Sequence, residues 1–568
     1  MDKLILLLLI STAFVVAQAK VVLPSYITDN MVVQRNSVMK ITGHASSGSK
    51  VNVIAGWDSR SREVKADSEG KFDISLDTPD AGGPYSIIIA DKDSKVKVGN
   101  VLSGELWLCS GQSNMEFPVE GWTSLMDADH VVSTARNPDI RLLQVKKRVA
   151  FSPQDDIETN MGGWVEAAPN TMDFSAIAYL YAKELRDSLK VPVGVIDATW
   201  GGTPAEAWTS YGILKGVPGF EGELSAMESC GFDASRLREN YEKEMGVWMK
   251  LAQKGGEEIR PGDKLTGNVF PADYFERIGF GNGFDGIVWV QKEIDVPAED
   301  AGKPMTLKLG AIDDEDVTYL NGVDFSSLPK KPASIEGSSY PTVLYNAMIH
   351  PLRNLPIKGV LWYQGCANVG RAEQYEPLFK SLINNWRDTW DSEFPFYFVQ
   401  LAGWLAPQSV QPDSEWAALR NAQSKALQLP NTAMVSAIDL GNPGDIHPRD
   451  KQTVAHRLAL TALGRDYGFD TNYKAPQCIS MQKMGNKIVL KFDDDLTVTS
   501  VAILGFIIGN ADGDFDQAVA RMADSRTLEL YSPLVKKPVC VRYDWADFPN
   551  GNLYSLHGIP VAPFATDK

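Results

Sequence analysis

The chain of 568 residues carries 55 Lys and Arg against 72 Asp and Glu, a formal net charge of −17. This acidic balance argues against nucleic acid or an anionic membrane as a partner, because both attract clustered basic side chains. Apolar residues make up 44% of the chain, which is enough for large buried cores, and the length predicts three or four domains.

Residues 1–19 are predicted to be a signal peptide that is removed on export. Lys3 precedes an apolar run from Leu4 to Val16, and Ala17-Gln18-Ala19 fits the small-residue pattern of a signal peptidase site. The run is shorter than the roughly 20 apolar residues of a transmembrane helix. We therefore expect a periplasmic or extracellular protein without a membrane span.

Residues 20–100 are predicted to form an N-terminal β-sandwich domain. Short runs such as "KVNVIAG" (50–56) and "KFDISLD" (71–77) alternate apolar and polar residues between Gly, Ser, Asp and Pro. From residue 101 onward, apolar strand-like runs alternate with helical patterns, which is typical of a parallel α/β sheet. We assign 101–265 and 336–470 to the two parts of one α/β domain.

Five apolar runs give the predicted strands of this domain: "GELWLCSG", "VPVGVIDATWGG", "GVLWYQG", "FPFYFVQL" and "TAMVSAIDLG". Between the third and the fourth run, apolar residues recur at steps of three and four, which predicts an amphipathic helix; they are Tyr375, Leu378, Phe379, Leu382 and Trp386. Residues 266–335 and 471–568 alternate like half-buried strands. They are predicted to be an inserted β domain and a C-terminal β domain.

Cysteine spacing does not predict a disulfide scaffold or a zinc site. The five cysteines are scattered, and none forms a CxxC pair. One bridge between Cys478 and Cys540 stays open as an alternative, and no metal or other cofactor is expected.

Polar and glycine-rich residues follow the predicted parallel strands one after another. Gly111-Gln112-Ser113-Asn114 follow the first strand, Gly201-Gly202-Thr203 the second, Gln364 to Asn368 the third, and Asp439 with Asp445-Ile446-His447-Pro448 the last. Because the carboxyl ends of parallel strands meet at one edge of a sheet, we expect these residues to share one site. Each segment alone is more often a turn or a cap, but four in one pattern favour a functional site.

Together these residues supply the parts of a serine hydrolase. Ser113 offers a nucleophilic hydroxyl and its own amide as an oxyanion donor. Gly202 offers a second amide that a substrate can approach closely, and Asn368 offers a side-chain NH₂. Among the six histidines, His447 alone follows a strand and has a nearby acid, Asp445, which makes it the natural base.

The chain resembles the sialate O-acetylesterase-like family of the SGNH hydrolase superfamily, which contains carbohydrate acetylesterases. The matching segments cover most of residues 100–210 and 340–565. They are "GELWLCSGQSNMEF", "VGVIDATWGGTPAEAW", "LYNAMIHPL", "GVLWYQGCANV", "DIHPRDKQTVAHRLA" and "VRYDWADFPNGNLYSLHGIPVAPF". The resemblance implies a three-layer α/β/α fold with a parallel sheet, to which the N-terminal, inserted and C-terminal β domains are accessory.

The resemblance also implies metal-free removal of acetyl groups from O-acetylated sugars, with sialic acid as the default sugar. Ser113 is then the nucleophile, His447 the base and Asp445 its orienting acid, with Asp439 in reserve. Gly202 and Asn368 form the oxyanion hole with the Ser113 amide. Acetylxylan or another acetylated polysaccharide is the alternative substrate.

Two departures from the family pattern bear on activity. Relatives read Gln-Gly-Glu-Ser-Asn in the third block, whereas this chain has Cys366 and Ala367 in place of the Glu and Ser, and its β insertion is shortened. A glycan-binding homologue with impaired catalysis is therefore a second hypothesis, and a reactive Cys366 a third. Arg371 and Arg449 are candidates for pairing with a sialate carboxylate.

Overall fold

The computed structural model describes residues 20–255, 319–320, 323–324 and 337–568. The predicted signal peptide lies outside the described residues. Only four residues of the predicted β insertion lie within them. The chain divides into two units, Met1–Phe232 with Glu336–Lys568 and Asp233–Ile335. None of the helices in the described ranges has the length and apolar character needed to cross a bilayer.

Residues 20–111 form strands, and the expected strands at 50–56 and 71–77 are confirmed. The strands are β1 (Val32–Gln34), β2 (Val38–His44), β3 (Lys50–Ala55), β4 (Ser61–Lys65), β5 (Lys71–Asp77), β6 (Gly82–Ala90) and β7 (Lys95–Gly111). β4, β3, β6 and the first part of β7 pair antiparallel in that order, while β2 pairs with β5. The expected boundary at 100/101 falls inside β7.

The first part of the α/β region follows β7. Its elements are α1 (Ser113–Glu116), α2 (Ala128–Ser133), β8 (Asn137–Gln144), β9 (Val165–Ala167), α3 (Ala176–Leu189), β10 (Val193–Thr199), α4 (Tyr211–Leu214) and α5 (Glu221–Ser229). The second unit contains α6 (Ala234–Gly255) and an antiparallel pair of short strands, β11 (Tyr319–Leu320) and β12 (Val323–Asp324).

The second part of the α/β region returns to the same sheet. Its elements are β13 (Gly359–Tyr363), α7 (Ala372–Trp390), β14 (Phe396–Gln400), α8 (Glu415–Ser424), β15 (Thr432–Ser436) and α9 (Lys451–Asp466). The predicted amphipathic helix is confirmed by α7, which buries the apolar residues that predicted it. The central sheet has the order β15-β14-β13-β7-β10-β8-β9, and its strands are parallel except β9.

Helices cover both faces of this sheet. Trp107 of β7 lies opposite Gly359 of β13, and Trp362 follows Gly359 by three positions, so the two indoles point to opposite faces. Trp107 contacts Tyr181 of α3, with 5.2 Å between ring centroids. Trp362 stacks on Phe379 of α7 at 6.3 Å. The predicted three-layer α/β/α architecture is therefore confirmed.

The C-terminal region is made of antiparallel strands, as predicted. They are β16 (Cys478–Met484), β17 (Lys487–Phe492), β18 (Leu496–Val498), β19 (Phe506–Gly509), β20 (Phe515–Gln517), β21 (Val519–Asp524), β22 (Thr527–Tyr531), β23 (Cys540–Tyr543), β24 (Leu553–Ser555) and β25 (Phe564–Ala565). The sheets β16-β17-β22-β21 and β20-β19-β23-β25 bury one shared apolar core. All five cysteines are free thiols, so the Cys478–Cys540 bridge is not formed.

Candidate active site

The turn after β7 presents Ser113 at the carboxyl edge of the central strand. β7 ends at Gly111, whose φ of +139° is rare for residues with a side chain. A Cβ at this position would collide with the Tyr363 carbonyl of β13. Ser113 then opens the short helix α1, and its side chain is partly exposed. The glycine lets β7 stay paired with β13 to its end, so that the serine follows at the rim.

The structure brings Ser113 and His447 together from positions 334 residues apart. His447 Nε2 lies 2.8 Å from Ser113 Oγ, within hydrogen-bonding distance. The imidazole comes from the loop between β15 and α9, and 26% of its side chain is exposed. A hydroxyl and an imidazole in this geometry are the first two parts of a nucleophile and base pair.

Asp445 and Asp439 occupy different environments. Asp445 Oδ1 lies 3.5 Å from His447 Nδ1 and accepts the His447 backbone N–H at 2.9 Å. Asp439 instead receives two bonds from Arg457, at 2.7 and 2.8 Å, and this pair is largely buried. Of the two acids predicted from the sequence, Asp445 is therefore the one beside the imidazole. Its distance from Nδ1 exceeds that of a normal hydrogen bond.

The loop that carries His447 is braced by a polar connection that the sequence did not predict. Asn114, next to the nucleophile, donates from Nδ2 to the Ile446 carbonyl at 3.0 Å. Lys451, the first residue of α9, donates from Nζ to Asn114 Oδ1 at 2.5 Å. The lysine is buried and lies over the Phe117 ring at 4.6 Å. These hydrogen bonds thus connect the turn that carries Ser113 to the loop that carries His447.

Two main-chain amides near Ser113 are open to a substrate. Gly202 is exposed, has φ of +74°, and leaves free space where a side chain would stand. Within the described part of the chain neither the Gly202 nor the Ser113 amide donates to another group. The neighbouring Gly201 amide is used internally, since it donates to Glu116 Oε2 at 2.6 Å. The geometry keeps Gly202 and Ser113 available as oxyanion donors.

The side chain of Asn368, which follows β13, is buried and held by several hydrogen bonds. It is 1% exposed, and its Oδ1 accepts from the Ala205 amide at 3.0 Å and from Gln364 Nε2 at 2.7 Å. One hydrogen of its Nδ2 goes to Glu206 Oε2 at 2.9 Å. Because an amide NH₂ has two donors, these bonds orient the group and leave its second hydrogen for a ligand.

Cys366 lies near Lys451, at the position where the resemblance implies a glutamate. Desolvation raises the pKa of the Cys366 thiol to about 12, and it lowers the pKa of Lys451 to about 7. A thiol with this pKa stays protonated near neutral pH, and only the thiolate is a strong nucleophile. The raised pKa therefore argues against a reactive Cys366.

Both arginines suggested for a sialate carboxylate already have internal partners. Arg371 Nη2 pairs with Glu206 Oε1 at 2.9 Å. Arg449 donates from Nε to the Ser124 carbonyl at 2.8 Å and from Nη2 to the Leu125 carbonyl at 2.9 Å. Their first role in this structure is to brace the walls of the site.

The pKa of His447 sets an expected pH dependence. Burial lowers this pKa below its ordinary value of 6.5, and Lys451 adds to the shift, whereas the carboxylates of Asp445 and Glu116 oppose it. The base form is neutral imidazole, so kcat/KM should rise with pH, with a midpoint below 6.5, and then level off. A pH profile of acetyl ester hydrolysis measures this midpoint. A midpoint above 6.5 would contradict the lowered pKa of His447.

Several residues that build the site were not singled out from the sequence. Gln112 Oε1 accepts from the Gly365 amide at 3.0 Å and thereby ties the first and third blocks together. Glu116 accepts from the Gly201 amide, and Glu206 accepts from Asn368. Lys451 donates to Asn114. All four lie inside the sequence blocks that carry the resemblance. The available signal was that these blocks are rich in polar residues yet flanked by buried strands.

The chain is similar in sequence to known acetylesterases. Residues 332–463 match the family described as carbohydrate esterase, sialic acid-specific acetylesterase. The chain is 28% identical over 510 residues to the sialate O-acetylesterase of Mus musculus, covering 84% of this chain and 79% of the mouse protein. The human sialate O-acetylesterase is 28% identical over 480 residues, covering 78% of this chain and 71% of the human protein.

A solved structure extends the likeness to the whole fold. The crystal structure of a carbohydrate acetylesterase from Xanthomonas citri superposes with a TM-score of 0.71 at 30% sequence identity, covering 96% of this chain and all of that protein. The chain is thus similar to this protein in both sequence and fold. It also has Ser113 and His447 in contact, in the segments that follow β7 and β15. The chain belongs to the sialate O-acetylesterase-like family of carbohydrate acetylesterases.

Proposed function

We propose that this protein is a serine esterase that removes O-acetyl groups from sugars through an acetyl-serine intermediate. The observation that carries the proposal is the 2.8 Å contact between Ser113 Oγ and His447 Nε2 at the carboxyl edge of the central sheet. The family supports acetyl esters of sugars as the substrate class.

In the first half of the reaction, Ser113 Oγ attacks the carbonyl carbon of the acetyl group. His447 Nε2 accepts the hydroxyl proton during the attack, and the carbonyl π electrons move onto the carbonyl oxygen. When the tetrahedral intermediate collapses, the bond to the sugar oxygen breaks. His447 returns the proton to that oxygen, so the sugar leaves as an alcohol.

The second half uses the same groups in reverse order. A water molecule gives its proton to His447 Nε2 and attacks the carbonyl carbon of acetyl-Ser113. The new tetrahedral intermediate collapses, the Ser113 oxygen takes the proton back, and acetic acid leaves and ionises. Asp445 orients the imidazole and stabilises its charged form in both halves.

The oxyanion of each intermediate faces three donors: the amides of Ser113 and Gly202 and the Nδ2 group of Asn368. Donors that are already oriented cost no reorganisation when the charge develops. Bonds from the Ala205 amide and Gln364, together with the bond to Glu206, hold the Asn368 side chain in place.

Replacing Asn368 by Ala is expected to lower kcat by about 10²-fold, because one oxyanion donor is lost. Steady-state kinetics with an acetyl ester measure the effect. Asn385→Ala is a matched control. Asn385 is also a buried asparagine, and its side chain accepts a hydrogen bond from the backbone amide of Ser210 at 2.8 Å, outside the site. Equal losses of kcat in both variants would argue against a catalytic role for Asn368.

We propose O-acetylated sialic acid as the sugar, on the support of the curated relatives named sialate O-acetylesterase. The test measures acetate release from O-acetylated sialic acid beside acetylated xylan at equal ester concentrations. A higher kcat/KM on the sialic acid ester supports the assignment. A preference for xylan overturns it and leaves the esterase proposal standing, whereas no acetate from either substrate would count against the esterase itself.

We also propose export, with residues 1–19 removed as a signal peptide. The support is the apolar run from Leu4 to Val16 followed by Ala17-Gln18-Ala19. Amino-terminal sequencing of the exported protein should then begin at Lys20. A mature protein that starts at Met1 would contradict this prediction.

A further inference from the structure

An exposed tryptophan lies beside the candidate base. Trp122 is 58% exposed, and its ring centroid lies 5.6 Å from that of His447 with 79° between the ring planes. The buried ring of Phe117 supports the indole at 5.7 Å. A large aromatic surface that stays open to water next to reacting groups is typical of a ligand-binding position.

The loop that carries Trp122 is fixed to the histidine loop. A β-bridge closes residues 120–124 into a tight turn. Arg449, two residues after the histidine, donates to the carbonyls of Ser124 and Leu125 at 2.8 and 2.9 Å and to Ser124 Oγ at 3.2 Å. The indole is therefore held in position before a substrate arrives, which reduces the entropy lost on binding.

The proposed reaction determines where the sugar must be. His447 Nε2 returns its proton to the departing sugar oxygen, so that oxygen lies within hydrogen-bonding distance of the imidazole. The sugar ring is joined to this oxygen either directly or through a single exocyclic carbon. It therefore lies within about one ring width of the imidazole, and the Trp122 ring centroid lies 5.6 Å from that of the imidazole.

Trp200 is a second tryptophan near Ser113, and a lysine lies over its ring. Lys147 Nζ lies 5.8 Å from the centroid of the Trp200 ring and also pairs with Glu116 at 2.6 Å. A cation thus already covers one face of Trp200. In the part of the chain that the structure describes, Trp122 carries no such cation. Its exposed surface is therefore available to a ligand.

We propose that Trp122 is a wall of the sugar subsite, on which the apolar C–H face of the substrate pyranose ring stacks while the acetyl group reaches Ser113. The inference rests on the proposed function and adds the side chain that recognises the sugar. Since the stacking surface is C–H rather than charged, it serves neutral and acidic sugars alike. Selectivity for sugar esters over small acetyl esters without a ring then depends on Trp122.

The test compares Trp122→Ala with the wild type on two kinds of ester. For acetylated xylo-oligosaccharide and for O-acetylated sialic acid, kcat/KM should fall about tenfold or more, mainly through KM. For ethyl acetate, which has no ring to stack, the fall should be several-fold smaller. Trp122→Phe, which keeps an aromatic face, should recover part of the loss.

Met126→Ala is the matched control, because Met126 is 74% exposed and lies four residues further along the same segment. It should change neither ester preference nor KM. If Trp122→Ala lowers the rates on sugar esters and on ethyl acetate by the same factor, Trp122 only supports His447 and the proposal is overturned. An unchanged rate on sugar esters would overturn it as well.

A binding measurement separates this inference from the proposed esterase activity. In Ser113→Ala, which keeps the subsite, acetylated xylo-oligosaccharide should change tryptophan fluorescence on titration. The double variant Ser113→Ala with Trp122→Phe should lose that signal and bind at least several-fold more weakly. If the wild type releases no acetate but this binding difference is found, the esterase fails and the sugar subsite stands. Equal binding by both variants would refute the subsite.

Discussion

Ser113→Ala is expected to abolish acetate release, lowering kcat by at least about 10³-fold, because the acetyl group loses the oxygen to which it is transferred. The substituted side chain is partly exposed, and its hydroxyl bonds to His447. Removing it leaves no cavity in the core, so the thermal unfolding midpoint should stay within a few degrees of that of the wild type. Acetate assays and thermal melts measure the two quantities.

Ser133→Ala is a suitable control, since Ser133 is an exposed serine whose hydroxyl bonds to the His130 carbonyl within α2. It should keep full activity. A fluorophosphonate probe gives an independent readout, because it should label the wild type and not Ser113→Ala. Undiminished acetate release from Ser113→Ala would refute the nucleophile assignment, and a wild type that resists the probe would support the glycan-binding hypothesis.

Asp445→Asn is expected to lower kcat by about 10²-fold or more, because the imidazolium formed during attack loses its facing carboxylate. The 3.5 Å separation between Asp445 Oδ1 and His447 Nδ1 places the expected loss toward the lower end for such acids. The amide can still accept the His447 backbone N–H, so the loop should keep its shape. Steady-state kinetics, with KM followed separately, measure the effect.

Asp439→Asn is the informative comparison for that variant. It breaks the largely buried pair with Arg457, which should cost about 3 kcal/mol of unfolding free energy and lower the melting temperature. The folded enzyme should keep its kcat. The opposite result, with activity lost in Asp439→Asn and retained in Asp445→Asn, would exchange the roles of the two acids.

The strands of the central sheet and the meeting of Ser113 with His447 could be predicted, because they depend on local sequence patterns and on the order of parallel strands. Largely apolar runs such as 193–199 and 359–363 form strands that are buried on both faces, and the structure has both as β10 and β13. Parallel strands deliver their following residues to one edge, so Ser113 and His447 were expected to meet despite their separation.

The contacts that hold this pair in place could not be predicted in the same way. Asn114 donates to the Ile446 carbonyl, and Gln112 accepts from the Gly365 amide, so both side chains bond to main-chain groups hundreds of positions away. Neither periodicity nor strand order says which polar side chain will find which carbonyl or amide. The ion pair of Asp439 with Arg457 joins two side chains within one region of the chain, and it too was not predicted from the sequence, where Asp439 was the reserve acid.

β7, the strand from Lys95 to Gly111, pairs first with amino-terminal strands and then with β10 and β13. Because side chains alternate between the two faces of a strand, a shift of one residue moves every later side chain to the opposite face. A single insertion near Lys95 would therefore reverse inside and outside all the way to the turn that carries Ser113, unless a bulge absorbed it. The length of this strand is thus constrained by the position of Ser113 at its far end.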